Sequence, residues 1–174
     1  MKITGRNIKR RLYGLKTLPS NLKRARYFRG HGVHSPFVYA IVRQVFMRST
    51  FACEQRELFD ALLAKGVARR RAMQLQNLFA HLRYVTYSID SEVGECGACD
   101  MIISTLNQSS ALLPSLADVA RASGATLCII APALDSERDR ICRRLVEEHR
   151  CTSVDNRGYL LLFNNHLPKQ KFRL

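Results

Sequence analysis

Ala125-Thr126-Leu127-Cys128-Ile129-Ile130-Ala131 is the stretch that decides the fold. An unbroken apolar run of this kind, bounded by turn residues, reads as a strand buried on both faces. Such strands belong to parallel sheets covered by helices. Just upstream, a helix is expected around Pro114–Ser123, stopped by Gly124. Before it, Asp100-Met101-Ile102-Ile103-Ser104 is a second short apolar strand, and Arg83–Ile89 alternates as a strand does. Asp90–Ala98 between them reads as loop. Downstream, Asp135-Ser136 caps a helix running to His149, with Ile141, Cys142, Leu145 and Val146 on its inner stripe. Cys151–Asp155 and Tyr159–Phe163 are strand-like and flank the turn Asn156-Arg157-Gly158. Strands alternating with helices imply right-handed parallel crossovers. The closing hairpin makes the last strand antiparallel.

The first half reads as helical. Ile8, Leu12 and Leu15 have helical spacing, and Ser20 can cap a short helix through Phe28. Arg29-Gly30-His31-Gly32-Val33-His34-Ser35-Pro36-Phe37 leads into an apolar helix ending near Phe46. Ser35 suits its N-cap and Pro36 its first turn. A long helical stretch is expected from about Cys53 to Leu82, with Gly66 as a kink or junction. The fold class is therefore α/β: a basic N-terminal helical region over residues 1–82 and a shortened Rossmann-like half over 83–174, forming one unit.

The charge of +14 is unevenly placed. Residues 1–53 hold twelve Lys/Arg and no acid, whereas basic and acidic residues cancel at ten each from Ser91 onward. A basic leader of this sort points to nucleic acid, an anionic surface or an acidic partner. Its candidate anion-binding residues are Lys9, Arg10, Arg11, Lys23, Arg24 and Arg26, with Tyr13, Tyr27 and Phe28 interleaved. Arg69-Arg70-Arg71 reads instead as a solvated helix face. No secretory h-region and no transmembrane run is present, so a cytoplasmic protein with reduced thiols is expected. Cys96-Gly97-Ala98-Cys99 precedes a strand and has no second pair, which disfavours both zinc and redox roles. His149 is expected at a helix C-terminus, where a charged imidazole suits the dipole.

The string RGHGVHSPFVYAIVRQVF resembles the N-terminal signature of a family of class I S-adenosylmethionine-dependent methyltransferase-like proteins, in which HG-x-HSPF precedes a doubly wound α/β domain. Residues 152–163 and Pro168-Lys169-Gln170-Lys171-Phe172 resemble the end of the same family. The resemblance covers roughly residues 22–48 and 98–174. It implies S-adenosylmethionine as cofactor if the protein is active, held on a glycine-rich turn after the first strand. Asp90, Gly94 and Gly97 are the residues placed to do this. The family's E-x-G-T-S-x-G pattern and its second and third βα units are missing. Its D-L-V-F-I-D-G reads Asp100-Met101-Ile102-Ile103-Ser104-Thr105-Leu106 here, and its D-D reads Ala131-Pro132. Both changes delete carboxylates that would bind a divalent metal, so no metal site is expected. The leading expectation is a methyltransferase-like pseudoenzyme acting as a docking or regulatory module, with a full-length paralogue as partner. One alternative is a minimal active methyltransferase with His31 or His34 as base near the acceptor. The other is a small basic nucleic-acid-binding protein.

Overall fold

A computed structural model describes residues 33–174. Arg29, Gly30, His31, Gly32 and the leader cations Lys9, Arg10, Arg11, Lys23, Arg24 and Arg26 lie outside the described residues. Among the described residues three helices come first: α1 (Pro36–Ile41, continued by a π-helical turn Val42–Phe46), α2 (Glu57–Ala64) and α3 (Arg69–His81). The α/β half follows as β1 (Tyr87–Ile89), a 3-10 segment (Val93–Ala98), β2 (Met101–Ser104), α4 (Leu113–Ser123), β3 (Thr126–Ile130), α5 (Ser136–Glu148), β4 (Ser153–Asp155), β5 (Tyr159–Leu162) and β6 (Lys171–Arg173). The six strands form one sheet in the order β1-β2-β3-β5-β4-β6. β1, β2 and β3 run parallel, and β5 lies antiparallel between β3 and β4. This is the α/β architecture with a closing hairpin that the sequence implies.

Both faces of the sheet are covered, which is why its strands read as unbroken apolar runs. Met101, Ile103, Cys128, Ile130 and Leu161 turn toward a core built with α1–α3. Their neighbours Ile102, Leu127, Ile129, Leu160 and Leu162 turn the other way, onto α4 and α5. On the first face, Val38, Ile41, Val42, Val45 and Phe46 of α1 and its π turn are all buried. Ser35 caps α1 by accepting from the Val38 amide at 3.4 Å, and Gly124 stops α4 at φ 76°. Asp135 caps α5 by accepting from the Arg138 amide.

The helical stretch 53–82 divides at Gly66, the expected junction, which adopts φ 78° between α2 and α3. Three local readings need correction. The first strand is only Tyr87–Ile89: Arg83 turns left-handed at φ 56°, and the Asp100 carboxylate takes the Val85 and Thr86 amides at 2.8 and 2.9 Å. These two hydrogen bonds, the Thr86 amide's first, together with one from the Thr86 hydroxyl, hold the Asp100 carboxyl below its usual range. The loop after β1 contains a 3-10 segment whose Cys96 is buried against α4. β6 was not expected, since only Phe172 among its three residues packs on the core; it pairs parallel with β4.

Candidate functional site at the carboxyl ends of the parallel strands

In open α/β sheets ligands bind outside the carboxyl ends of the strands. Here those ends are Ile89–Asp90 after β1, Ser104–Thr105 after β2 and Ile130–Ala131 after β3. Asp90 adopts φ 54°, and its amide donates to the Ile103 carbonyl at 3.0 Å. Its carboxylate turns across to the neighbouring strand end. Oδ1 accepts from the Thr105 amide at 2.7 Å, and Oδ2 accepts from the Thr105 hydroxyl at 2.6 Å. Lys65 approaches Oδ2 at 3.8 Å from the end of α2, and the Asp90 side chain is only 7% exposed. Thr105 stands where the family resemblance would have a second acid. A carboxylate there would repel Asp90, whereas a threonine ties the two strand ends together.

Beside this pair the crevice is filled by Arg138, a residue of the first turn of α5 that is 2% exposed. Its guanidinium donates to the Ile130 carbonyl from Nε and Nη2 at 3.3 and 3.1 Å. From Nη2 it also reaches the Ser104 and Thr105 carbonyls at 3.5 and 3.3 Å. Nη1 donates to the Ser110 hydroxyl at 3.2 Å. One side chain thus caps the last carbonyls of β2 and β3 in the space where a parallel sheet ordinarily holds a ligand. Arg138 shares a helical stripe with buried Cys142 and Leu145, at spacings of four and seven. A cation on that otherwise apolar stripe was the available signal for a buried role, and charge counting passes over it.

The remaining sequence candidates fall elsewhere. Gly94 and Gly97 lie on the 3-10 segment, and a Cβ on either would meet nothing within 4 Å. Neither has a positive φ, so the backbone here does not demand glycine at these positions. Ala131, which follows β3, is left-handed at φ 49° and donates its amide to the Gly158 carbonyl at 2.8 Å.

Ser35, Pro36 and Phe37 start α1, and Phe37 packs edge-on against Phe163 at 5.1 Å. Phe163 follows Leu162, which pairs with Leu127 near the start of β3. At the other end of α1 and its π turn, Phe46 meets Tyr159, which pairs with Ile130 at the end of β3. This helical segment therefore runs along the sheet, and exposed His34 lies at the amino ends of the parallel strands. Asp90 lies at their carboxyl ends. The structure does not bring His34 and the Asp90 loop together, as the minimal-enzyme alternative requires; His31 is outside the described residues.

Arg71 departs from the solvated face expected of the run 69–71. It donates to Gln74 Oε1 at 2.9 Å and lies over the Tyr159 ring at 5.6 Å. Gln74 in turn donates to the Phe46 carbonyl, and Asn156 donates to the Tyr159 hydroxyl at 2.8 Å. Burial pushes the Tyr159 hydroxyl pKa upward, so the ring stays neutral. His149 is buried, with Nε2 2.9 Å from the Phe163 carbonyl; desolvation lowers its pKa, so it is a neutral donor and not a dipole-stabilising cation. All six cysteines are unpaired thiols, and burial drives that of Cys142 up to about 12, which leaves it unreactive. Among the described residues no three His, Cys, Asp or Glu side chains group as a metal site, and no helix is long and apolar enough to cross a membrane. No family model, curated protein or solved structure matches this chain.

Proposed function

We propose that this protein is a methyltransferase-like docking or regulatory module that does not use S-adenosylmethionine. One observation carries the reading: the crevice at the carboxyl ends of β1–β3 is filled by the chain's own side chains. Asp90 is bound to Thr105 and Lys65, and Arg138 covers the strand-end carbonyls. A cofactor amine would have to displace two short hydrogen bonds to reach the Asp90 carboxylate, a buried rearrangement costing about 1–3 kcal/mol per group left unsatisfied. The partner face is the β1 edge of the sheet. Among the described residues β1 has no strand on its outer side, and Val85 beside it is 82% exposed. The partner that the resemblance implies is a full-length methyltransferase-like paralogue with the missing βα units.

Calorimetric titration with S-adenosylmethionine and S-adenosylhomocysteine tests the cofactor half of the proposal; no saturable heat is expected. One-to-one binding that is lost in Asp90→Ala would overturn it. For the docking half, a full-length protein bearing the same HG-x-HSPF string should bind. Val85→Lys at the open edge should then weaken the complex by roughly ten-fold, the scale of a buried anchor residue. Equal affinity of the Val85→Lys variant would place the partner elsewhere.

A further inference from the structure

A second feature, far in sequence from the sheet's carboxyl ends, goes beyond the docking reading and does not rest on it. The loop 49–56 and the first turns of α3 enclose an open-sided groove of about 890 Å³, lined in part by Phe51, Met73, Arg56, Arg69 and Arg70. The loop is built in, not draped. Buried Asn77 of α3 accepts from the Ala52 amide and donates to the Thr50 carbonyl, both at 2.9 Å. Buried Gln76 accepts from the Phe59 amide at 3.1 Å. Phe51 and Phe59 meet edge-to-face at 4.9 Å, and each carries a cation: Arg56 sits 4.5 Å above Phe51 and Arg69 5.4 Å above Phe59.

Guanidinium groups supported on aromatic faces lose little further freedom on binding and keep their N–H edges for an anion. Arg56, Arg69 and Arg70 are exposed, and among the described residues none of the three forms an ion pair with a carboxylate. Glu54 is the single acid lining the groove, so three cations face one anion. The volume far exceeds one phosphate, and the floor offers Phe51 and Met73 as apolar surface for a base. We infer that this groove binds single-stranded nucleic acid, with Arg56, Arg69 and Arg70 on the phosphates and the Phe51–Met73 floor against a base. An open side admits a continuing strand, and the charge of +14 on the chain supplies the long-range attraction.

The test is fluorescence anisotropy of the full chain with a labelled oligouridylate of about 12 nucleotides across a salt series. The groove variant is Arg56→Gln with Arg69→Gln and Arg70→Gln. The control, Arg121→Gln with Arg140→Gln and Arg150→Gln, removes the same charge from exposed sites elsewhere. Loss of three phosphate contacts should weaken binding by roughly ten-fold or more at low salt. It should also flatten the slope of log K against log salt by about 2, at about 0.7 per contact. The control should lose less than about three-fold. Equal weakening in both triple variants, or in neither, would overturn the groove assignment. A wild-type chain that ignores the oligonucleotide but binds inorganic pyrophosphate would overturn the strand in favour of a small phosphate ligand. All three groove arginines are exposed, so an unchanged thermal unfolding curve should accompany the loss.

Discussion

Replacing Arg138 with methionine is the sharpest probe of how the carboxyl end of the sheet is closed. Methionine keeps most of the aliphatic volume, so little cavity opens. What disappears is the fork that reaches the Ile130, Ser104 and Thr105 carbonyls. These bonds are 3.1–3.5 Å long, so each merits about 1 kcal/mol and not the larger value of a short charge-assisted bond. Three carbonyls give about 3 kcal/mol; releasing a buried cation from its desolvation cost returns part of it. We expect a net loss of about 2–3 kcal/mol. In urea, with a slope of about 2 kcal/mol per molar, the midpoint should fall by about 1–1.5 M at unchanged slope, read by circular dichroism. Arg138→Lys should lie between the two, because a single ammonium cannot span carbonyls from two strands. A methionine variant within about 0.5 kcal/mol of the parent would refute the reasoning, since the strand ends would then be satisfied without the fork.

Two further outcomes follow from buried contacts. A Cβ on Gly158 would lie 2.6 Å from Arg71 Nε, so Gly158→Ala should cost about 1–2 kcal/mol by pushing Arg71 off the Tyr159 ring. In an Arg71→Ala background that cost should largely vanish, and a double-mutant cycle on urea midpoints checks it; an additive cycle would refute the clash. His149 has a folded-state pKa below its ordinary value of 6.5, so the unfolded chain takes up the proton first. Its contribution to stability is whole above about 6.5 and is lost as pH falls through the folded-state pKa. His149→Gln should flatten the decline of stability below pH 6.5, measured by urea unfolding at several pH values, whereas a steeper decline would reverse the sign argued here.

Much of the fold was legible because burial on both faces writes itself into the chain. Ala125–Ala131 reads as a central strand, and Gly124 and Asp135 mark the helix ends around it, because these signals are local. The hairpin at Asn156–Gly158 is local too. The expectations that failed involve partners distant in sequence. β1 is short because the carboxylate of Asp100 captures two amides that a ladder would have used. β6 exists only because β4 offers an edge to three residues with little apolar character.

The same division holds for the site. The sequence by itself determined that no carboxylate stands at Thr105 or Ala131-Pro132 and that the first half is strongly basic, since both are matters of residue identity. Only the tertiary structure decided what surrounds those strand ends. Asp90 meets Thr105 across two strand ends, and Arg138 arrives from a helix after β3. It also separated Arg71 from Arg69 and Arg70: one lies on a buried tyrosine, while the others line an open groove with Arg56. Three adjacent arginines read alike in a sequence, because charge is a property of the residue. Its surroundings depend on which face of the helix each one occupies and on what packs there.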